Sequence, residues 1–216
     1  RFEGLSAPDD GQWAYTGAVT FYQSPAEFHN CVFVGNTCED ALNCVLSPFR
    51  VVACEFVEIF ADALDADFSN GAVERSAFVN CGNDAIDVSG SELRVADVVI
   101  TAAKDKGVSV GEGSAATISN LRIRRSEIAL AAKDLSRVTI DGLSIDSCRV
   151  GFTIYQKKSE FGPAEVTADD VSLTAVEIDY LLENTSSLKL NGAAVAANED
   201  RVKDQLYGVK YGKSSR

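Results

Sequence analysis

The stretch DALDADFSNGAVERSAFVNCGNDAIDVSG, residues 62–90, contains one acidic motif twice. DALD begins at Asp62, and DAID begins 22 positions later at Asp84. Steps of 22 in both directions define a set of equivalent positions, called the aspartate column: Asp40, Asp62, Asp84, Lys106, Ile128 and Val150. A period of this length that continues over most of a chain indicates a solenoid of stacked, similar units.

Each unit also carries two apolar positions five residues apart. These pairs are Phe28 and Phe33, Val51 and Phe56, Val73 and Phe78, Val95 and Ile100, Ile118 and Ile123, Ile140 and Ile145, and Val166 and Val171. A third apolar position follows the acidic one, at Leu42, Leu64, Ile86, Val108, Leu130 and Phe152. Because an odd spacing places two residues on opposite faces of a straight strand, each unit must bend between the first two positions if both point inward.

Three short strands in each 22-residue unit predict an all-β fold, a right-handed parallel β-helix of about eight turns. Leucine-rich repeats have a similar length, but their LxxLxL pattern is missing. We expect an irregular segment at 1–16, the β-helix at 17–192, a short helix over the open end at 193–208 and a basic tail at 209–216. The segment QKKSEFGPAE, residues 156–165, interrupts the register, and we expect it to lengthen its turn by four residues.

Composition excludes several classes of protein. The net charge of −12, from 32 acidic and 20 basic residues, disfavours binding to nucleic acid. No apolar stretch approaches the roughly 18 residues of a membrane span, and we expect flanking domains of a longer chain. The six cysteines form no CxxC pair and His29 is the single histidine, which argues against a zinc site. Reduced core thiols are favoured, with a Cys31–Cys54 disulfide as the alternative.

The repeated aspartates suggest a calcium site. Stacked turns lie about 4.8 Å apart, so the column places Asp62 beside Asp84, and the outward positions three residues later place Asp65 beside Asp87. Stacked carboxylates repel one another unless a proton or cation intervenes, and Ca²⁺ binds several oxygen ligands. We therefore predict a Ca²⁺ site formed by these four aspartates, the alternative being a solvated acidic ladder.

Lys106 follows Asp84 in the aspartate column. A lysine one turn from bound Ca²⁺ suits β-elimination of a uronate, in which a base removes the proton next to a carboxylate. Lys106 and Asp84 are therefore the candidate catalytic residues. The alternative is a surface lysine that pairs with Asp105 and Glu112, both of which favour its protonated form.

Further residues on this side are candidates for binding an acidic saccharide: Lys133, Lys157, Lys158 and Tyr155. The alternative is a solvated charged rim. Paired aspartates on adjacent turns, about 5 Å apart, also fit a retaining glycoside hydrolase.

Over residues 17–192 these repeats resemble the pectin-lyase-like superfamily of right-handed β-helices. NDAID, residues 83–87, resembles the acidic turn that supplies calcium ligands in some pectate lyases, which implies that role for Asp84 and Asp87 and the position of the base for Lys106. Polygalacturonases have a similar series of acidic motifs, but Asn83 replaces one expected aspartate here and Lys106 replaces the histidine.

The resemblance implies a carbohydrate-active β-helix that acts on or binds an acidic polysaccharide outside the cell or at its surface, with Ca²⁺-dependent β-elimination as the preferred reaction. Similar β-helices also occur as non-catalytic modules of larger surface proteins. That role is the main alternative, and a glycoside hydrolase with paired aspartates is the second.

Overall fold

The computed structural model describes residues 1–8, 11 and 13–207. Within these residues the chain forms 21 β-strands and one α-helix. They are β1 Phe2–Glu3, β2 Gly17–Tyr22, β3 Ala26–His29, β4 Val32–Val34, β5 Asp40–Val45, β6 Phe49–Val52, β7 Glu55–Ile59, β8 Asp62–Asp67, β9 Asn70–Glu74, β10 Ala77–Cys81, β11 Ile86–Ser89, β12 Glu92–Ala103, β13 Lys106–Gly111, β14 Ala115–Arg124, β15 Ile128–Lys133, β16 Arg137–Asp146, β17 Val150–Tyr155, β18 Glu165–Thr174, β19 Ile178–Leu182, β20 Ser187–Leu190, β21 Ala193–Ala194 and α1 Val202–Leu206.

The strands form two sheets that run the length of the molecule, a first sheet of 13 strands and a second sheet of eight. The second sheet contains one strand from each turn, in the order β2, β5, β8, β11, β13, β15, β17 and β19, and all its pairs are parallel. The first sheet contains the other two strands of each turn, which merge into single long strands from β12 onward. The predicted parallel β-helix of about eight turns with a 22-residue period is therefore confirmed.

The predicted bend between the first two apolar positions is present in every turn. A residue with positive φ lies between them, at Asn30, Ala53, Arg75, Asp97, Asn120, Gly142 and Asp170. The bend turns both apolar side chains toward the interior, where Val51, Phe56, Val73 and Phe78 are fully buried. The third apolar positions, from Leu42 to Phe152, are also fully buried.

Two predicted details of register are wrong. The structure pairs Arg137 with Glu165, 28 positions apart, so the interruption adds six residues to the 22-residue turn instead of four. As a result Val166 lies beside Val138 and Val171 beside Leu143, and Val171 is only half-buried. The sequence repeat could not show this because the inserted segment has no counterpart in the other turns.

The ends of the molecule also differ from expectation. The N-terminal segment is not wholly irregular, because β1 pairs in parallel with β4 and the Phe2 ring stacks on Phe33 at 4.6 Å. The predicted C-terminal helix is present but shorter than 193–208, because α1 spans only Val202–Leu206. Its Val202 and Leu206 pack on the outer face of the second sheet, against Ile128 and Val150. The basic tail at 209–216 lies outside the described residues.

All six cysteines are free thiols, and four of them are buried, which agrees with the prediction of reduced core thiols. Cys31 and Cys54 are neighbours without a disulfide, and the backbone N–H of Cys31 donates to Cys54 Sγ at 3.4 Å.

Candidate functional site

A groove of about 720 Å³ lies on the outer face of the second sheet, where the aspartate column changes from acidic to basic. We call it the lysine groove. Its lining includes Asp62, Asp84, Asp87, Lys106, Lys133, Lys157 and Tyr207. The groove therefore collects side chains from consecutive turns of the second sheet, from the inserted loop and from the end of α1.

Lys106 and Asp84 form a buried ion pair at the floor of the groove. Lys106 Nζ lies 3.3 and 3.2 Å from the two carboxylate oxygens of Asp84 and 2.6 Å from Asp105 Oδ2. Asp84 Oδ1 also accepts the backbone N–H of Lys106 at 2.9 Å, so the carboxylate holds two adjacent turns together. Burial alone would lower the pKa of Lys106, but Asp84 and Asp105 outweigh burial and raise it well above its usual value. Lys106 is thus a fixed ammonium group.

Asp62 occupies the same position one turn earlier. Its Oδ1 accepts the backbone N–H of Asp84 and the side-chain N–H of Asn83, both at 2.7 Å. Burial, together with the nearby charges of Asp84 and Asp87, raises the pKa of Asp62. The raised pKa makes Asp62 a candidate proton donor in the groove.

Asp65 and Asp87 lie side by side in the outward column, but their carboxyl pKa values are shifted in opposite directions. Burial and the charge of Asp87 raise the pKa of Asp65 to about 9, and its Oδ2 accepts a hydrogen bond from Asn43 at 2.9 Å. Burial would likewise raise the pKa of Asp87, but Lys133 and Lys106 outweigh it and lower that pKa. Neighbouring carboxyls in register, Asp65 beside Asp87, therefore favour opposite protonation states.

Lys133 crosses the groove from β15 toward Asp87. A side chain at Gly111 would lie 3.1 Å from Lys133 Cε, so the glycine leaves room for the lysine stem. The residue is only 6% exposed, and Asp87 Oδ1 is 3.9 Å from its Nζ, beyond hydrogen-bond distance. Lys133 Nζ donates no hydrogen bond to any residue within the described ranges, and it therefore has donors available for a ligand.

Lys157 enters the groove from the inserted loop. Asp134 fixes this loop, because its Oδ1 accepts the backbone N–H groups of Lys157 and Lys158 at 2.6 and 2.7 Å. Lys203 Nζ donates to the Lys157 carbonyl oxygen at 2.9 Å and thereby joins the loop to α1. Lys158 turns away from the groove and pairs with Glu112 at 2.5 Å.

Tyr207 follows α1 and closes one side of the groove. Lys157 Nζ lies 5.1 Å from the centre of the Tyr207 ring, and the Tyr207 and Tyr155 hydroxyl oxygens are 3.4 Å apart. Burial would raise the pKa of Tyr207, but Lys106, the hydrogen bond with Tyr155, Lys157 and Lys133 together lower it. A phenol among three ammonium groups is a candidate general base.

The structure brings most of the predicted site residues together. Asp62, Asp84, Asp87, Lys106, Lys133 and Lys157 all line the lysine groove, whereas Asp65 and Lys158 lie outside it. Tyr155 was predicted to bind substrate at the surface, but it is fully buried beneath Val202 and Leu206. It therefore supports Tyr207 and cannot touch a ligand in this arrangement.

Sequence reasoning missed Tyr207. The residue belongs to no repeat, and it lies 52 positions from Tyr155, its neighbour in space. Only the clustering of helix formers before it was visible in the sequence, and that pattern carries no information about where the helix packs.

The four aspartates predicted to bind calcium have other partners in the structure. The Lys106 ammonium contacts both oxygens of Asp84, and Lys133 is the nearest cation to Asp87. Asp62 Oδ1 already accepts two hydrogen bonds. Within the described residues, no group of three or more histidine, cysteine or acidic side chains is arranged to hold a metal ion. The calcium site stays a prediction from the sequence.

Fold and register define the protein as a parallel β-helix with a charged groove across several of its turns. Comparison with protein-family models matches residues 49–211 to the right-handed β-helix region family, which is most of the chain, so the protein belongs to that family. The comparison with curated proteins gave no match.

Among solved structures, the catalytic domain of a GH87 α-1,3-glucanase variant in complex with tetrasaccharides is similar to this chain. The match covers 73% of this chain and 50% of that one, with 8% sequence identity and a TM-score of 0.33. The chain thus spans half the length of that structure.

None of the helical structure in the described part of the chain is long and apolar enough to cross a membrane.

Proposed function

We propose that this β-helix binds an acidic polysaccharide in the lysine groove and cleaves it by β-elimination. The observation that carries the proposal is the unused hydrogen-bonding capacity of Lys133. Its buried ammonium group lies beyond hydrogen-bond distance of the nearest carboxylate and faces a groove that also contains Lys157. A carboxylate from the ligand would supply the missing acceptor.

Recognition follows from the distribution of charge. The chain carries a net charge of −12, so most of its surface repels a polyanion. Lys133 and Lys157 both reach the lysine groove, and these two lysines would attract and bind a uronate carboxylate there. Lys106 is already paired with Asp84 and Asp105, so it would balance those two carboxylates at the floor of the groove.

In this reaction Tyr207 is the general base and Asp62 is the general acid. The Tyr207 phenolate accepts the proton from the sugar carbon next to the carboxylate, and the lysines stabilise the negative charge that develops there. The electron pair of the broken C–H bond forms a carbon–carbon double bond, and the glycosidic C–O bond breaks. The leaving oxygen takes that bonding pair and accepts the proton of Asp62.

This assignment changes the role predicted for Lys106. A lysine whose pKa is raised by Asp84 and Asp105 stays protonated and does not serve as a base. Lys106 instead positions Asp84 and helps to lower the pKa of Tyr207.

The test is a panel of polyuronates assayed for the ultraviolet absorbance of the unsaturated product. Tyr207→Phe is expected to lower kcat by about 10²- to 10⁴-fold, with Tyr180→Phe as a matched control in a tyrosine that packs on the core. Lys133→Met is expected to raise KM and to move the pH optimum upward, because Lys133 lowers the pKa of Tyr207. Exposed Lys189→Met is the control for the lost charge.

Absence of unsaturated product from every polyuronate would remove the lyase. Binding without turnover, lost in Lys133→Met and kept in Lys189→Met, would favour the non-catalytic module.

A second candidate reaction is glycoside hydrolysis. It is favoured by two carboxyls that line the same groove with pKa values shifted in opposite directions, raised for Asp62 and lowered for Asp87. Asp62 would donate a proton to the leaving oxygen, and Asp87 would act as base or nucleophile. New reducing ends without ultraviolet absorbance, abolished by Asp87→Asn, would identify this reaction.

A further inference from the structure

A second cleft, of about 380 Å³, lies on the outer face of the second sheet at its N-terminal edge. We call it the aromatic cleft and define it by Trp13, Tyr15, Tyr22, Asn43 and Asp67. The rings of Trp13 and Tyr22 are 6.3 Å apart and tilted by 41°, and these residues are 62% and 52% exposed. Two large aromatic side chains are thus largely exposed beside polar groups.

The register connects this cleft with the lysine groove. Tyr22 pairs with Val45 and Val45 with Asp67, and this second outward column, two residues after that of Asp65 and Asp87, continues through Ser89 to Gly111. Thr20, which also lines the cleft, is three turns from Asp87 in the neighbouring column, or about 14 Å at the usual spacing of parallel strands. One extended ligand lying across the strands can reach both sites.

The chemistry of the aromatic cleft differs from that of the groove. Among the described residues, no lysine or arginine lines it. Its polar groups include the Asp67 carboxyl, the Asn43 amide and the Thr16 and Thr20 hydroxyls. A second anionic sugar would be repelled by Asp67, because Lys158, the lysine whose charge acts on Asp67, lies outside the cleft and pairs with Glu112.

An uncharged sugar ring fits these groups. The C–H face of a pyranose packs on exposed aromatic rings, whose faces carry partial negative charge, and its hydroxyl groups donate to carboxylate and amide oxygens. Asn43 is also held in place by its own contacts, because its Nδ2 donates to Asp40 at 3.1 Å and to Asp65 at 2.9 Å.

We propose that the aromatic cleft is a subsite for a neutral pyranose residue of the same saccharide chain whose acidic residue occupies the lysine groove. The second half of this statement rests on the proposed function, whereas binding of a neutral sugar in the cleft does not. The ligand class is thus a heteropolysaccharide that combines uronate and neutral sugars.

Trp13 makes the first half directly measurable, because it is the single tryptophan of the chain. Titration with neutral gluco-, galacto- and manno-oligosaccharides should give a saturable change in tryptophan fluorescence. Tyr22→Ala should weaken this binding about 5- to 10-fold through loss of one stacking face. Phe68→Ala, which removes another exposed aromatic side chain, should leave it unchanged.

The subsite is overturned if no neutral oligosaccharide changes the fluorescence, or if Tyr22→Ala binds as tightly as the wild type. Tighter binding of tetramethylammonium than of any sugar would also overturn it, because the rings and Asp67 would then form a cation site. Neutral-sugar binding that is equal in the wild type and in Lys133→Met, combined with no polyuronate turnover by the wild type, would support the subsite and remove the lyase. If the affinity for mixed oligosaccharides depends on Lys133 but not on Tyr22, the proposal that one saccharide chain occupies both sites is overturned.

Discussion

The pKa of Asp65 shows how the stacking of similar turns affects a single side chain. It lies beside Asp87 in register and shares its surroundings with Asp62 and Asp67. Burial and these carboxylates raise its pKa to about 9. An unfolded aspartate ionises near pH 4, so the folded chain binds more protons than the unfolded chain between these two values, and its stability falls as pH rises through that range.

We therefore predict that Asp65→Asn stabilises the protein at pH 8. The gain should be at least about 1 kcal/mol, or about 2–4 °C in Tm for a domain of this size, because Asp65 ionises when the wild type unfolds and thereby favours the unfolded chain, whereas the amide cannot ionise. The gain should disappear below about pH 3, where Asp65 is protonated in both the folded and the unfolded wild type.

Thermal unfolding across this pH range measures the effect. The control is Asp169→Asn at an exposed position. A gain in Tm that does not change with pH would contradict the explanation by ionisation.

The Lys106–Asp84 pair provides a second prediction for single residues. Lys106→Met should destabilise the protein by about 3 kcal/mol, because Asp84 would remain buried with its charge unbalanced. Adding Asp84→Asn should recover part of the lost stability, since the second change removes the unpaired charge.

A double-mutant cycle by chemical denaturation checks this coupling. Strictly additive losses would show that the two side chains do not stabilise each other.

At the scale of elements, the stacking of like residues explains how neighbouring turns adhere. Phe33, Phe56 and Phe78 occupy one position in successive strands of the first sheet. Their rings stack at 4.5 and 4.7 Å with interplanar angles of 1° and 5°. Phe2 continues the stack in the N-terminal strand, at 4.6 Å from Phe33, and so covers the first turn with an aromatic ring.

Phe56→Ala should cost about 3–5 kcal/mol of stability, because it removes the middle of this stack and leaves a cavity in a fully buried site. Phe60→Ala is the matched control, since that side chain is 66% exposed and should cost little. Urea denaturation measures both variants. Equal losses would show that the buried stack does not account for the stability of these turns.

At the scale of the whole molecule, α1 attaches the C-terminal segment to the outer face of the second sheet, beside the lysine groove. Val202 and Leu206 pack on the outer side of the second sheet, and Lys203 holds the loop that carries Lys157. The same segment places Tyr207 among the lysines. Packing of a five-residue helix thus completes one side of the lysine groove.

Val202→Asn should therefore weaken both stability and binding. Burial of an unpaired amide at a fully buried site should cost about 2 kcal/mol or more, and release of α1 would displace Tyr207 and Lys157. Asp204→Asn introduces the same amide at an exposed position of the same helix.

The measurements are the unfolding free energy and the affinity for an acidic oligosaccharide. Unchanged affinity in Val202→Asn, despite lost stability, would contradict the role of α1 in the groove.

The sequence by itself determined the period, the bends, the inward positions and the contact between Asp84 and Lys106. It could do so because parallel strands stacked in constant register turn an offset of 22 residues into contact in space. The same regularity predicted that Asp65 lies beside Asp87.

Only the tertiary structure decided which of these residues can meet a ligand. The inserted loop, α1 and the N-terminal segment have no equivalent in the repeat, so no offset predicts that Tyr207 joins the lysines, that Tyr155 is covered or that Trp13 faces Tyr22. The protonation states also required the folded arrangement. They depend on burial and on every neighbouring charge together, which is why Asp65 and Asp87, alike in the sequence, differ in the structure.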